Sequence, residues 1–199
     1  MSILLKKILI AIESITKEVI SMIGRFKSIA SYKKNRDMPI YNVVDIVYFV
    51  LNKLYHLSLY NSAYAPSNMK LQKLLYFIQG CYMRNNNGRE LFEDDFQAWV
   101  SGPVIPSVYG MFRFYGRGII NKREIKRIPS LSQAAIIVIT EVVEELGKED
   151  SFVLSKMTHD SQTAWSIIRE KYNLKQYEYS REIIPKSMIH EEFLNYIHD

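Results

Sequence analysis

One cysteine among 199 residues, Cys81, cannot close an internal disulfide and cannot by itself build a Cys-rich zinc site. A reducing, cytoplasmic compartment is the expectation. Eight glycines and six prolines exclude a collagen-like or low-complexity chain. No apolar run is long enough to cross a bilayer, because Lys6, Lys7, Glu13, Lys17 and Glu18 interrupt MSILLKKILIAIESITKEVISMIGRFKSIA. No small-residue cleavage site of the usual kind follows it, which argues against a secretory signal. Phosphate loop, dinucleotide fingerprint, GxSxG elbow, HExxH and paired-cysteine patterns are all missing. Missing motifs do not by themselves exclude an enzyme, but weighed with the side chains below the expectation is no cofactor, no metal and no catalytic residue.

What is present fits one globular domain with a short appendage: 48% hydrophobic, 13% aromatic and 24% charged residues. The charge is unevenly placed. Residues 1–37 carry Lys6, Lys7, Lys17, Arg25, Lys27, Lys33, Lys34 and Arg36 against Glu13, Glu18 and Asp37, which accounts for the whole net charge of +5. The body is neutral, so a basic pI attaches any interest in anionic partners to the arm alone.

In that arm Leu5, Ile8, Ile12, Ile15, Val19, Met22, Phe26 and Ile29 recur at steps of three and four, predicting a helix. Leu9, Ile10, Ala11, Ile20 and Ile23 widen the apolar surface beyond a two-stranded coiled-coil seam. Such a helix packs on its own domain, docks in a partner or a second copy, or lies on a membrane surface. SYKKNRDMP, 31–39, reads as the hinge to the body.

The body reads as mainly helical. Helices are predicted over Val43–Leu59, after Ser67 as an N-cap, from Pro106, after Ser132, from Asp150 through Lys156, over Ser161–Tyr172 and over Lys186–Ile197. Gly147 is expected to end the helix that Ser132 starts. LFEDDFQAWV suits a short strand with Phe96, Ala98 and Val100 on one face, stopped by Gly102 and Pro103; RGIINKREIKRI is a second short strand or a linker. Trp99 and Phe112 are expected inside, and Val108, Met111, Phe112 and Tyr115 on the buried side of the helix from Pro106. Only Pro103 to Tyr109 would face a partner. The fold class is thus a single mainly α domain (38–199) with a small β-hairpin, preceded by an N-terminal amphipathic helix and basic linker (1–37).

Few side chains invite chemistry. His159 beside Asp160 is the one pair that suggests a hydrolase, since a carboxylate can orient an imidazolium. A structural role at a helix boundary is the plainer reading. Cys81 sits among apolar neighbours and reads as core. Glu90, Glu93, Asp94 and Asp95 read as a solvated turn, not a metal site. Lys122, Arg123, Lys126 and Arg127 would form one basic stripe if helical, but no aromatics are interleaved for base stacking. Neither nucleic acid nor membrane is expected as partner.

KLQKLLYFIQG (70–80), LFEDDFQAWVSGPVIPSVYGMFRFYG (91–116) and LSKMTHDSQTAW (154–165) resemble, in order and spacing, the Panacea antitoxin domain family of SocA-like and phage-associated GepA-like proteins. The resemblance runs over about 40–195. It implies a bacterial or prophage antitoxin that binds and neutralises a cognate toxin protein, with some relatives resembling adaptors for an ATP-dependent protease. Its signature maps onto Lys70, Leu71, Gln72, Lys73, Leu74, Leu75 and Tyr76; onto Phe96, Trp99, Gly102, Pro103, Val104 and Tyr109; and onto Thr158, His159 and Trp165. We assign toxin contact to the arm stripe Leu5, Ile8, Ile12, Ile15, Val19, Met22 and Phe26, with self-association as the alternative use.

Overall fold

A computed structural model describes residues 39–195, so the arm helix, its stripe and the terminal Tyr196 and Ile197 lie outside the described residues. Among the described residues seven α-helices pack with a small antiparallel sheet, a mainly α fold. The helices are α1 (Val43–Ser58), α2 (Asn68–Asn85), α3 (Pro106–Phe112), α4 (Gln133–Leu146), α5 (Ser151–Met157), α6 (Ala164–Lys171) and α7 (Lys186–Asn195). None of them is long and apolar enough to cross a membrane.

Local chemistry sets most boundaries. Ser67 Oγ accepts from Lys70 N, Ser132 Oγ from Ala135 N and Asp150 Oδ1 from Phe152 N, each relieving an amide that the first helical turn leaves unbonded. Pro106 opens α3, where no N–H is required. The helix expected from Ser161 begins at Ala164 instead, because Thr163 takes the capping role by accepting from Ser166 N.

Helix α2 runs through the centre and is buried nearly all round, touching α4, α5, α7 and the sheet. Leu71, Leu74, Leu75, Tyr76, Phe77 and Ile78 fill the core beside Cys81, whose thiol burial pushes up to about 12. At Gly80 the Phe193 ring of α7 lies so close that a Cβ would overlap it.

The sheet corrects the sequence reading in two places. Gly102 and Pro103 do not end the pairing: Gly102–Val104 is strand β2, paired with β1 (Phe96–Trp99) in the register Gln97 to Val104 and Trp99 to Gly102. A third strand, β3 (Ile183–Ile184), pairs with β1 on its other side, giving the order β2-β1-β3. The stretch RGIINKREIKRI is no strand; it holds a 3-10 turn over Lys122–Glu124 and otherwise irregular chain. The basic residues there form no helical stripe, and Arg127 instead reaches Asp45 Oδ1 at 2.7 Å.

Burial also departs from expectation. Phe112 is buried, but Trp99 is half-buried, because alternation from Phe96 and Ala98 puts it on the opposite face of β1. Pro103, Val104 and Ile105 are buried, not presented, leaving Ser107 and Tyr109 exposed. On α3, Val108 and Phe112 face inward while Met111 is exposed. The acidic residues near position 90 are gathered by Lys186, whose Nζ lies 2.8 Å from Glu90 Oε2 and 3.6 Å from Asp95 Oδ1.

Candidate functional site

Several polar side chains of α2 are buried, and four of them hold main-chain groups of the segments packed around the helix. Lys70 Nζ donates to Gly147 O at 2.8 Å and to Ala63 O. Gln72 Oε1 accepts from Ile105 N at 2.9 Å, while Lys73 Nζ donates to Pro103 O at 2.8 Å. Gln79 serves the other end, its Nε2 donating to Phe92 O and its Oε1 accepting from Leu91 N. A buried backbone group without a partner costs about 1–3 kcal/mol, so these contacts are what permit loops to lie against the core. The polar letters of KLQKLLYFIQG are a set of clamps on the segments around α2.

The second and third signature blocks meet on the hairpin. Arg169, buried on α6, donates from Nη1 to Ala98 O at 3.0 Å and from Nη2 to Glu178 O and Lys175 O. Trp165 Nε1 donates to Trp99 O at 2.8 Å, and Ser155 Oγ to Ser101 O at 2.7 Å. Trp99 packs edge-on against Tyr109 with ring centroids 4.9 Å apart, and against Tyr179 at 5.7 Å. Gly102, at φ +100°, leaves the space in which Lys73 and Thr158 approach the hairpin turn. Below it Tyr76 OH bonds the buried carboxylate of Glu192, which also accepts from Ala164 N at 2.8 Å and so ties α2, α6 and α7 together.

His159 lies flat on Trp165, ring centroids 3.8 Å apart and planes within 3°. Burial of that face, then the positive charges of Lys73 and Arg169, push the imidazole down to about 4. A carboxylate supporting the imidazolium would shift the ring the other way. Lys73 is 1% exposed, and its burial brings the ammonium down to about 7. Burial is also the first cause lowering Arg169, partly countered by Glu178.

The sign of the His159 effect is definite. Its folded value lies below the ordinary 6.5, so the unfolded chain binds more protons between pH 4 and 6.5 and stability falls as pH drops through that window. In urea titrations His159→Gln is expected to flatten the acid limb, with the difference from the parent chain growing between pH 6.5 and 4.5. A parallel loss in both proteins would refute this.

Beside the clamp opens a cleft of about 710 Å³, lined by Val100 and Ser101 of the hairpin turn, Ser155, His159 and Trp165, with Phe152 and Tyr177 along it. The last two remain 73% and 81% exposed. An aromatic side chain left this open beside a concavity is typical of a contact surface. No group of three or more His, Cys, Asp or Glu among the described residues could hold a metal.

Thus Gln72, Lys73, Tyr76, Gly102, Pro103, Thr158 and Trp165 gather around the hairpin, with Trp99, Tyr109 and His159 on its outer side, while Lys70 holds Gly147 and Ala63 apart from it. Sequence reasoning missed Arg169 and Glu192. Each betrays itself by phase: Arg169 stands four residues after Trp165 and Glu192 three after Ile189, charged letters on an otherwise buried stripe.

Residues 71–166 match the family model described as Antitoxin SocA-like, Panacea domain. The chain is 36% identical over 113 residues to Antitoxin SocA of Caulobacter vibrioides (strain NA1000 / CB15N), covering 51% of this chain and 59% of that protein. It therefore spans less than two thirds of that relative's length. No solved structure matches significantly.

Proposed function

We propose, from the match of residues 71–166 to the SocA-like Panacea domain, that the chain is the antitoxin of a toxin-antitoxin pair, neutralising a toxin protein by direct contact. The observation that carries the reading is the position of the matched stretch: its residues build the clamp that fixes the hairpin beside the cleft with exposed Phe152 and Tyr177. The toxin docks on that aromatic edge and on the arm stripe Leu5, Ile8, Ile12, Ile15, Val19, Met22 and Phe26. Trp99, Tyr109 and His159 hold the surface in shape, and no residue is given a catalytic part.

The test is co-expression of the full chain with the product of the adjacent gene, reading growth rescue and co-purification together. Phe152→Asp with Tyr177→Asp is expected to weaken the complex at least about tenfold, the usual loss when aromatic anchors are removed. Deleting residues 1–35 is expected to reduce rescue as well. Rescue without any complex overturns direct neutralisation. Rescue with the complex intact but dependent on an ATP-dependent protease would move the assignment to an adaptor. Unchanged binding by the truncated chain would remove the arm from the contact.

A further inference from the structure

Among the described residues the cleft beside the hairpin has one side chain of fixed charge in its lining, Arg117, and no carboxylate. Arg117 stands on a tight turn between two glycines: Gly116 lies at φ +53°, and Gly118 N donates to Tyr115 O at 2.7 Å. The turn is tied down. Ile120 N donates to Pro66 O at 2.9 Å and Ile119 pairs with Ser67 in an antiparallel bridge, which holds the turn against the start of α2. The guanidinium itself is exposed and has no ion-pair partner among the described residues.

The remaining lining is neutral. Ser67, Ser101 and Ser151 bring hydroxyl groups, and His159, pushed down to about 4, is an uncharged imidazole on the face of Trp165 at neutral pH. Lys73 and Arg169 lie close enough to that imidazole to help depress it, so two buried cations add to the positive field of Arg117. Asp150, a carboxylate next to the lining residue Ser151, is turned to the amide of Phe152 as the cap of α5. An anion entering the cleft is favoured there and a cation is not.

The apolar edge decides what kind of anion fits. A nucleic-acid strand carries a phosphate at every step and binds through a row of cations, whereas this lining offers one. A protein segment needs one carboxylate for Arg117 and an apolar side chain to cover the exposed rings of Phe152 and Tyr177.

We infer that the cleft receives an acidic, apolar segment of the partner protein, in which an Asp or Glu pairs with Arg117 and an aromatic or branched aliphatic side chain lies against Phe152 and Tyr177. This rests on the reading that a partner protein docks at the cleft, and adds the chemistry of the segment it inserts. Covering Arg117 removes water from the pair and strengthens it relative to an open surface pair. The net charge of the chain acts in the same sense: at +5, it draws an acidic partner in over a distance and opposes a basic one.

The test uses peptides, not the toxin. Random peptides displayed on phage are depleted on the full chain carrying Arg117→Glu and then selected on the parent chain, and the enriched sequences are titrated as fluorescent peptides. Sequences that join Asp or Glu to Phe, Trp, Leu or Ile are expected. Arg117→Gln is expected to bind them about threefold more weakly than the parent, the loss of one exposed pair, and Arg117→Glu about tenfold or more weakly, since it adds like-charge repulsion. Arg123→Glu makes the same charge change outside the lining, at a side chain 77% exposed, and is expected to bind them as the parent does. Arg117→Glu loses no internal partner and should melt within about 2 °C of the parent. An empty selection, enrichment of basic or uncharged peptides, or titrations that Arg117→Gln leaves unchanged overturn the inference. Displacement of the peptides by oligothymidylate at lower concentrations than by the peptides themselves would assign Arg117 to phosphate and overturn it too. The two readings fail separately. Undiminished co-purification of the adjacent gene product with Arg117→Glu removes the acidic segment and leaves the antitoxin assignment standing, whereas Arg117-dependent acidic peptides without any such complex do the reverse.

Discussion

Gly102→Ala is expected to lower the thermal midpoint by about 10 °C, although it adds one methyl group to an edge strand. Two costs combine. At φ +100° an L side chain is strained by about 1–3 kcal/mol. The new Cβ would also stand 2.5 Å from Thr158 Oγ1, 2.9 Å from Lys73 Cε and 3.0 Å from Lys73 Nζ. Neither neighbour is free to retreat. Thr158 is fully buried and donates its hydroxyl proton to Ser155 O at 2.7 Å, while the Lys73 ammonium is held on Pro103 O. Forcing atoms into such a site costs about 1–3 kcal/mol more, and at about 2–4 °C per kcal/mol for a domain of this size the midpoint shift follows.

The proper comparison is Gly110→Ala, whose Cβ would meet nothing within 4 Å on helix α3. There the substitution is expected to leave stability unchanged or to raise it by up to about 1 kcal/mol. Thermal unfolding of the two variants side by side decides the matter. If Gly102→Ala melts within about 2 °C of the parent chain, corresponding to less than 1 kcal/mol, the three-way approach at the hairpin is not a constraint.

That contact also marks where sequence reading stopped. Helix starts are chemical events between near neighbours, so Ser67, Ser132 and Asp150 could be recognised from their own surroundings. The step Gly102-Pro103 looked like a break because proline cannot donate to a ladder. It is tolerated because β2 is an edge strand and the one group Pro103 offers, its carbonyl, is taken by Lys73 from thirty residues away. Nothing local announces such a donor. Strand β3 has two residues, too few for any alternation to be visible.

The candidate site was legible as a set of letters and not as a device. Lys70, Gln72 and Lys73 stood out because the family resemblance singled them out; their shared use, each holding a main-chain group of a neighbouring segment on α2, appears only once those segments are in place. Trp99 illustrates the opposite error. Its bulk suggested the core, whereas the two-residue period of β1 assigns it to the outer face with Gln97, whose Oε1 accepts from its indole at 2.9 Å. Periodicity was the better guide than size.

Lys73→Met is expected to stabilise the domain at pH 6 and destabilise it at pH 10, a reversal that follows from one buried ammonium. In the folded chain burial lowers Lys73 from 10.5 to about 7, so the unfolded chain binds more protons between those values. Stability therefore rises with pH across the window, by up to about 1.4 kcal/mol per pH unit where the proton difference is complete. Above pH 10.5 the neutral amine carries no such cost; below pH 7 the full cost, about 4–5 kcal/mol, is in force. Methionine has nearly the same length and removes that cost, but it leaves Pro103 O without its donor, a loss of about 1–3 kcal/mol at every pH. The difference at pH 6 then favours the variant by about 1–4 kcal/mol, and the curves cross between about pH 8 and 10. Groups that titrate alike in both proteins cancel in the comparison, so urea midpoints at matched pH values are the required measurement. Curves that stay parallel from pH 7 to 10 would show that Lys73 keeps an ordinary affinity for its proton. A crossing would establish that the α2 clamp on the hairpin is maintained at a net cost in stability near neutral pH. The position of Pro103 and of the cleft beside it would then be the property the lysine secures.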